Sequence, residues 1–191
     1  IPVNVPGGQV LINVMGREII GYTGSPTIID TGSISGLAGT PIRIASNAFS
    51  GCTSLTTLTT HTGFTTIGSN AFQGCSNLAA VTISSTVTDI GSMAFTKCAN
   101  VSFSVDAANA YYSSFAGVMY DKAYTTLLFM GASKLALLNL PAGVYKIGDN
   151  AFSYFTMTGY TIPAQISIIG KSAFSYCSNL TEITIPSTVN L

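Results

Sequence analysis

Tryptophan is absent from this chain of 191 residues, histidine occurs once, and seven basic side chains balance seven acidic ones. Without a basic excess there is no electrostatic footprint for a phosphate backbone, which argues against a nucleic-acid partner. No run of Lys or Arg marks an anionic membrane surface. The longest apolar runs, such as Leu135-Ala136-Leu137-Leu138, fall far short of the roughly 20 residues of a membrane span, so the high mean hydropathy of +0.49 is distributed along the chain. The four cysteines include no pair spaced by two to four residues, the spacing a zinc site wants, so no metal or cofactor is expected. His61 lies in Thr59-Thr60-His61-Thr62-Gly63, with no acid partner or nucleophile elbow beside it, and Ser-His-Asp chemistry is not expected. Carboxylates are too sparse for a glycosidase pair at roughly 5 to 9 Å. The segment Gly32-Ser33-Ile34-Ser35-Gly36 lacks a phosphate-loop Lys and reads as a loop.

What the chain has is a repeat. Ile67-Gly68-Ser69-Asn70-Ala71-Phe72-Gln73-Gly74-Cys75 recurs 23 residues earlier as Ile44-Ala45-Ser46-Asn47-Ala48-Phe49-Ser50-Gly51-Cys52 and 23 later as Ile90-Gly91-Ser92-Met93-Ala94-Phe95-Thr96-Lys97-Cys98. Further copies open at Ile147-Gly148-Asp149-Asn150-Ala151-Phe152 and Ile169-Gly170-Lys171-Ser172-Ala173-Phe174. A fixed period in this range marks a solenoid. The start at Ile1 without a signal peptide reads as a trimmed or processed piece. Val189-Asn190-Leu191 stand where Val87-Thr88-Asp89 do, so the array is expected to stop at the opening of a further unit. Few charges among many Ser, Thr, Asn and Gly residues fit an exported protein.

Each unit divides into three pieces. In Ile-Gly-x-x-Ala-Phe a small polar residue (Ser46, Ser69, Ser92, Asp149) is placed to cap a single helical turn that carries Ala and Phe inward. A strand follows: Leu78-Ala79-Ala80-Val81-Thr82-Ile83 and Leu180-Thr181-Glu182-Ile183-Thr184-Ile185 both read L-x-x-L-x-L, with alternate residues facing in and out. An exit turn such as Pro141-Ala142-Gly143-Val144 or Pro186-Ser187-Thr188-Val189 then ends the strand, because proline lacks the ladder donor. Residues 1–43 are expected to form a β-rich N-terminal cap or degenerate repeat, with a hairpin of Val10-Leu11-Ile12-Asn13-Val14 and Glu18-Ile19-Ile20-Gly21-Tyr22 and a further strand at Thr27-Ile28-Ile29-Asp30. Residues 44–191 form the array, interrupted at 109–134 by a hairpin-like insertion.

These residues resemble the BspA-like leucine-rich repeats, a bacterial surface-protein subclass whose unit runs I-G-x-x-A-F-x-x-C-x-x-L-x-x-V-x-I-P-x-x-V. Tyr112-Ser113 followed by Gly117-Val118-Met119-Tyr120-Asp121-Lys122 is similar to the variant unit that interrupts such arrays. The resemblance implies an α/β solenoid: a right-handed leucine-rich repeat superhelix with a parallel sheet of short strands and short helical turns on its convex side. It also implies adhesion to host proteins or cells by a secreted or cell-surface protein. Unlike commoner leucine-rich repeats, the chain has no Asn after the strand, so turn backbone groups must be satisfied otherwise.

Cys52, Cys75, Cys98 and Cys177 share one place in their units, which Phe155 takes in another. That argues for one small buried residue per coil, the alternative being a bridge between adjacent turns. The outward residue of each strand gives a stripe, Thr59, Thr82, Ser104, Asn139, Thr161 and Thr184, joined by outward Glu182. It is either the polar face of a good strand former or a concave ligand-binding face for a protein or glycan. Tyr112, Tyr120 and Tyr124, with Tyr111, make the insertion a second, more aromatic candidate. A non-catalytic monomer that presents an interaction surface is the expectation. The competing reading is a parallel β-helix that binds or processes polysaccharide. An ice-binding solenoid is set aside because the doubled threonines around Thr56 and Thr59 do not recur.

Overall fold

The computed structural model describes residues 1–34 and 42–189, so the readings of Ser35, Gly36, Asn190 and Leu191 lie outside the described residues. The chain opens with an antiparallel meander of β1 (Pro2–Val5), β2 (Gly8–Asn13) and β3 (Glu18–Gly24). The expected hairpin is β2 and β3; β1 is added to it. Then come β4 (Ile28–Asp30), β5 (Ile42–Ile44), β6 (Thr57–Thr59), β7 (Phe64–Ile67), β8 (Ala80–Ile83), β9 (Asp89–Ile90) and β10 (Ser102–Val105). They alternate between two ladders. One is a six-stranded sheet in the order β1-β2-β3-β5-β7-β9, the other a four-stranded sheet, β10-β8-β6-β4, and all pairs beyond β3 are parallel. Each coil therefore carries two short strands rather than the single one its leucine pattern announces. The extra strand ends on the Ile of the Ile-Gly pair, and Ile19, Ile44 and Ile67 stack wholly buried along it.

The insertion contributes β11 (Tyr112–Phe115), β12 (Val118–Asp121) and β13 (Thr126–Phe129) as an antiparallel meander, followed by a 3-10 turn at Ala132–Leu137. β13 also pairs in parallel with β14 (Lys146–Ile147), restoring the first ladder, and the second resumes as β15 (Gly159–Thr161). β16 (Ile168–Ile169) and β17 (Glu182–Thr184) extend them. Among the described residues no helix is long and apolar enough to cross a membrane.

The expected helical turn is not formed; among the described residues the 3-10 segment is the sole helix. A helix needs each N–H bonded four residues back. Here alternate N–H groups leave the coil altogether: Asn47, Phe49 and Gly51 donate to the Ser69, Ala71 and Gln73 carbonyls of the next coil at 3.0, 2.7 and 2.7 Å, while Ala48, Ser50 and Cys52 close tight turns onto residues three back. Left-handed φ angles at Asn47 (61°), Asn70 (56°), Met93 (58°), Asn150 (58°) and Ser172 (57°) alternate the direction of these groups and prevent a helix from propagating. The coils approach so closely that a Cβ on Gly68 would stand 2.4 Å from the Ser46 nitrogen, and one on Gly91 2.4 Å from that of Ser69. That approach is why glycine follows the isoleucine.

Inside, Phe49, Phe72 and Phe95 stack face to face at 5.2 and 5.4 Å, and Tyr22 of the N-terminal sheet extends the column at 5.7 Å. The stack ends where Phe129 meets Phe95 edge-on. Cys52, Cys75 and Cys98 are buried and Cys177 half-buried, all as free thiols. They are more than fillers: the thiols of Cys75, Cys98 and Cys177 each donate to a Phe carbonyl of the preceding coil at 3.1 Å. Burial pushes the Cys98 thiol up to about 12, and Cys75 higher still.

The exit turns are satisfied by a different device in place of the missing asparagine ladder. Thr86 Oγ1 donates to the Phe64 carbonyl at 2.7 Å, Gln165 Nε2 to those of Pro141 and Val144, and Thr188 Oγ1 to those of Ala164 and Ile166. Asn109 plays this part where the insertion departs. Wholly buried, it donates to the Ser84 and Val87 carbonyls and accepts from the N–H groups of Tyr111 and Tyr112.

Candidate functional site

The strand row assembles in two stretches. Register places Asp30 beside Thr59, Thr59 beside Thr82 and Thr82 beside Ser104. Beyond the insertion Thr161 lies beside Thr184, and Glu182 beside Gly159. Thr82, Ser104, Thr161, Glu182 and Thr184 are exposed and Thr59 is half-buried, whereas the flanking Val81 and Ile83 are buried, as strand alternation requires. Asn139 is exposed but belongs to no strand, since residues 138–140 make no ladder pair, so it is not in register with the others.

Asp30, which sequence reasoning did not include, heads the row, and it supplies the acid that His61 lacks locally. His61 Nε2 stands 2.6 Å from Asp30 Oδ1, with both side chains about half exposed. The main chain of His61 is anchored beside it, its backbone N–H donating to Thr31 Oγ1 at 2.9 Å. The pairing joins residues 31 positions apart through the β4–β6 register, which no local pattern shows. Among the described residues no hydroxyl hydrogen-bonds the imidazole, and no group of three or more His, Cys, Asp or Glu side chains is placed to hold a metal ion.

The insertion tyrosines do not form the surface proposed for them. Tyr120 is wholly buried, so it is a core residue and not a contact residue; burial pushes its phenol up to about 12, and among the described residues its hydroxyl has no hydrogen-bond partner. Tyr124 is half-buried, with its hydroxyl donating to the Ser114 carbonyl at 3.1 Å. Tyr112 accepts the Ile90 N–H at 3.0 Å. Gly91 donates back to Ile67, so the Ile90 N–H points onward, and Tyr112 caps the sheet edge left where the first ladder stops. Both hydroxyls are spent on backbone; Tyr111 remains exposed.

An aromatic cluster does exist, on the turn wall. Tyr154 and Tyr176 stack at 4.5 Å with planes 9° apart, and the Lys97 ammonium lies 4.1 Å over the Tyr154 ring. These three occupy the column that begins with Gly51 and Gly74, and they keep its left-handed backbone at φ 64°, 65° and 60°. The sequence signal was present, in that a glycine column turns to Lys and Tyr partway along the repeat. Beside this cluster lie a cavity of about 170 Å³ floored by Phe95 and Phe129, and one of about 620 Å³ between Ile90 and Lys146; both are bordered by Phe129 and Asn150.

Two parallel ladders per coil, a stacked Phe column and a repeat of 23 residues define a β-solenoid of the leucine-rich-repeat class. The BspA type leucine rich repeat region matches in 6 copies over residues 36–118 and 125–191, and the chain belongs to that family. The fold is similar to the crystal structure of the pneumococcal vaccine antigen PcpA, at TM-score 0.60 and 19% identity, over 89% of this chain and 47% of that one. The chain thus spans about half the length of that relative. A leucine-rich repeat protein of Eubacterium ventriosum matches at TM-score 0.45 and 17% identity, over 96% of this chain and 72% of the other. A leucine rich cell surface protein of Faecalibacterium prausnitzii matches at 0.44 and 19%, over 99% and 77%. No curated protein sequence matches the chain.

Proposed function

We propose that this chain is a non-catalytic recognition module of a secreted or cell-surface protein, and that its strand row contacts a protein partner on a host or neighbouring cell. The observation that supports this reading is the in-register run Asp30, Thr59, Thr82 and Ser104: small polar groups on a rigid ladder, with little charge to desolvate on contact. Surface display and adhesion come from the family. In the same reading residues 1–43 close the N-terminal end of the array, the protein acts as a monomer, and the strand row is its concave face. The row's two carboxylates, Asp30 and Glu182, lie in separate stretches, and Asp30 is engaged by His61, an arrangement unlike the paired carboxylates of polysaccharide hydrolysis. The test is binding to an array of extracellular-matrix proteins and glycans, with Thr82→Arg and Thr161→Arg as variants. Loss of a protein signal in both, at unchanged melting temperature, supports the proposal. Binding indifferent to both substitutions, or turnover of any polysaccharide, overturns it.

A further inference from the structure

The turn wall of the array is continuous between most neighbouring coils and open at one place. Asn70, Phe72 and Gly74 donate to the Ser92, Ala94 and Thr96 carbonyls at 3.0, 2.8 and 2.9 Å, and Asn150, Phe152 and Tyr154 donate to those of Lys171, Ala173 and Ser175. Between these junctions the equivalent donors are the N–H groups of Met93, Phe95 and Lys97, and the equivalent acceptors are the carbonyls of Asp149, Ala151 and Ser153. None of these six has a hydrogen-bond partner among the described residues. The cause is a missing layer. The intervening coil supplies β13 to the ladder, but it then passes inside, with Ser133 N–H donating to the Ala99 carbonyl at 3.0 Å, and makes the 3-10 turn instead of an Ile-Gly-x-x-Ala-Phe turn. Ladder layers lie roughly 4.8 Å apart, so one absent layer leaves roughly 9.6 Å between the walls. Among the described residues only side chains bridge that gap: Asn150 Nδ2 donates to Ser92 Oγ at 3.3 Å, and Lys97 reaches the Tyr154 ring.

Donors at every second residue on one wall, facing acceptors at every second residue on the other, are the complement of one polypeptide backbone. A sugar offers no such directional alternation. The charges narrow the partner further. Of the seven basic residues in the chain, Lys97, Lys146 and Lys171 border the two adjoining cavities, against the single acid Asp149, whose Oδ1 already accepts the Lys171 N–H at 2.9 Å. Lys97 and Tyr154 also hold left-handed backbone where earlier coils have glycine, a strain that recurs at ligand clamps. We propose that this gap binds an acidic polypeptide segment as the missing layer, its backbone paired to both walls. The site is on a different wall from the strand row and does not depend on that reading.

The test is amide exchange by NMR on the whole chain. Met93, Phe95 and Lys97 are expected to exchange about a hundredfold faster than Asn70, Phe72 and Gly74. The probe is a capped peptide copying residues 67–75 with Asp, Glu and Ser at the places of Ser69, Gln73 and Cys75. At about 1 mM it should slow those three amides, and a version N-methylated at alternate residues should not. Lys97→Ala with Lys146→Ala and Lys171→Ala, all on the surface of the gap, should weaken the acidic peptide about threefold to tenfold without affecting its neutral parent. Amides already protected in the free protein, no protection by the acidic peptide, or protection by N-acetylchitohexaose in its place would each overturn the proposal.

Discussion

Replacing Asn109 by Ala takes a hydrogen-bond partner from four backbone groups, of which the Ser84 carbonyl alone keeps another, the Val87 N–H at 3.4 Å. The Ser84 and Val87 carbonyls lose donors at 2.8 and 2.9 Å, and the Tyr111 and Tyr112 N–H groups lose a shared acceptor at 2.8 Å. A buried polar group left unmatched costs about 1 to 3 kcal/mol. Val87 is wholly buried and Ser84 nearly so, whereas Tyr111 is exposed and Tyr112 half-buried, so water recovers part of the loss at the two amides. The expected destabilisation is therefore about 3 to 5 kcal/mol, near the upper end for a point substitution. Asn109→Asp separates the two halves of the interaction. It keeps the acceptor for both tyrosine amides but turns oxygen lone pairs toward the two carbonyls. Burial and those carbonyls raise the pKa of the introduced carboxyl, so its folded state is favoured while protonated, and the variant should lose stability as pH rises from about 4 to 8. Urea unfolding followed by circular dichroism measures both variants. A cost below about 1 kcal/mol for Asn109→Ala, or a pH-independent Asn109→Asp, would refute the role assigned to this residue.

Tyr120→Phe deletes a buried hydroxyl without a partner among the described residues and should leave stability unchanged or raise it by up to about 1 kcal/mol in a thermal melt; a clear loss would mean the hydroxyl is satisfied. Gly68→Ala drives a Cβ into the Ser46 backbone at 2.4 Å and should cost about 3 kcal/mol or more. Gly51→Ala, with open space but φ 75°, should cost only about 1 kcal/mol, and equal costs would refute the close-approach account of the Ile-Gly pair. Native Cys75 and Cys98 should resist thiol reagents at pH 8 while Cys177 reacts first, and denaturation should release four thiols. Because burial raises these thiols, the unfolded chain ionises first. Stability should therefore fall as pH rises above the ordinary thiol range, toward about 12 for Cys98; a flat profile would show the thiols to be hydrated.

The strand half of each coil is legible in the sequence because alternation is local: Val81 and Ile83 against Thr82 can face only one way on a covered ladder. The Ala-Phe turn is not, because its conformation is decided by bonds to a neighbour 22 residues away. A Ser or Asp before Asn-Ala-Phe has the composition of a helix start, and only the inter-coil donors of Asn47 and Phe49 reveal a turn. Tyr120 misleads for a related reason. Val118, Met119 and Tyr120 are all buried because β12 is covered on both faces, so aromatic content in an insertion says nothing about exposure. Asn109 takes the place that Val87, Val144, Ile166 and Val189 hold in their exit turns, so internal comparison shows a polar residue at an apolar position but not the four backbone groups it binds. The Asp30–His61 pair needed the β4–β6 register, and the open wall needed a count of which backbone groups have partners.

The turn-wall hydrogen bonds have a direction, each coil donating to the next through the same three positions, while the Gly that follows the ladder Ile donates back to the coil before. Any regular coil thus presents one identical face forward and another backward, and duplicating or deleting one leaves every junction as it was. Copy number can drift on either side of residues 99–146 without cost to the joints. Across that segment the joint is unlike all others, so gain or loss of a coil there would change the shape of the molecule as well as its length.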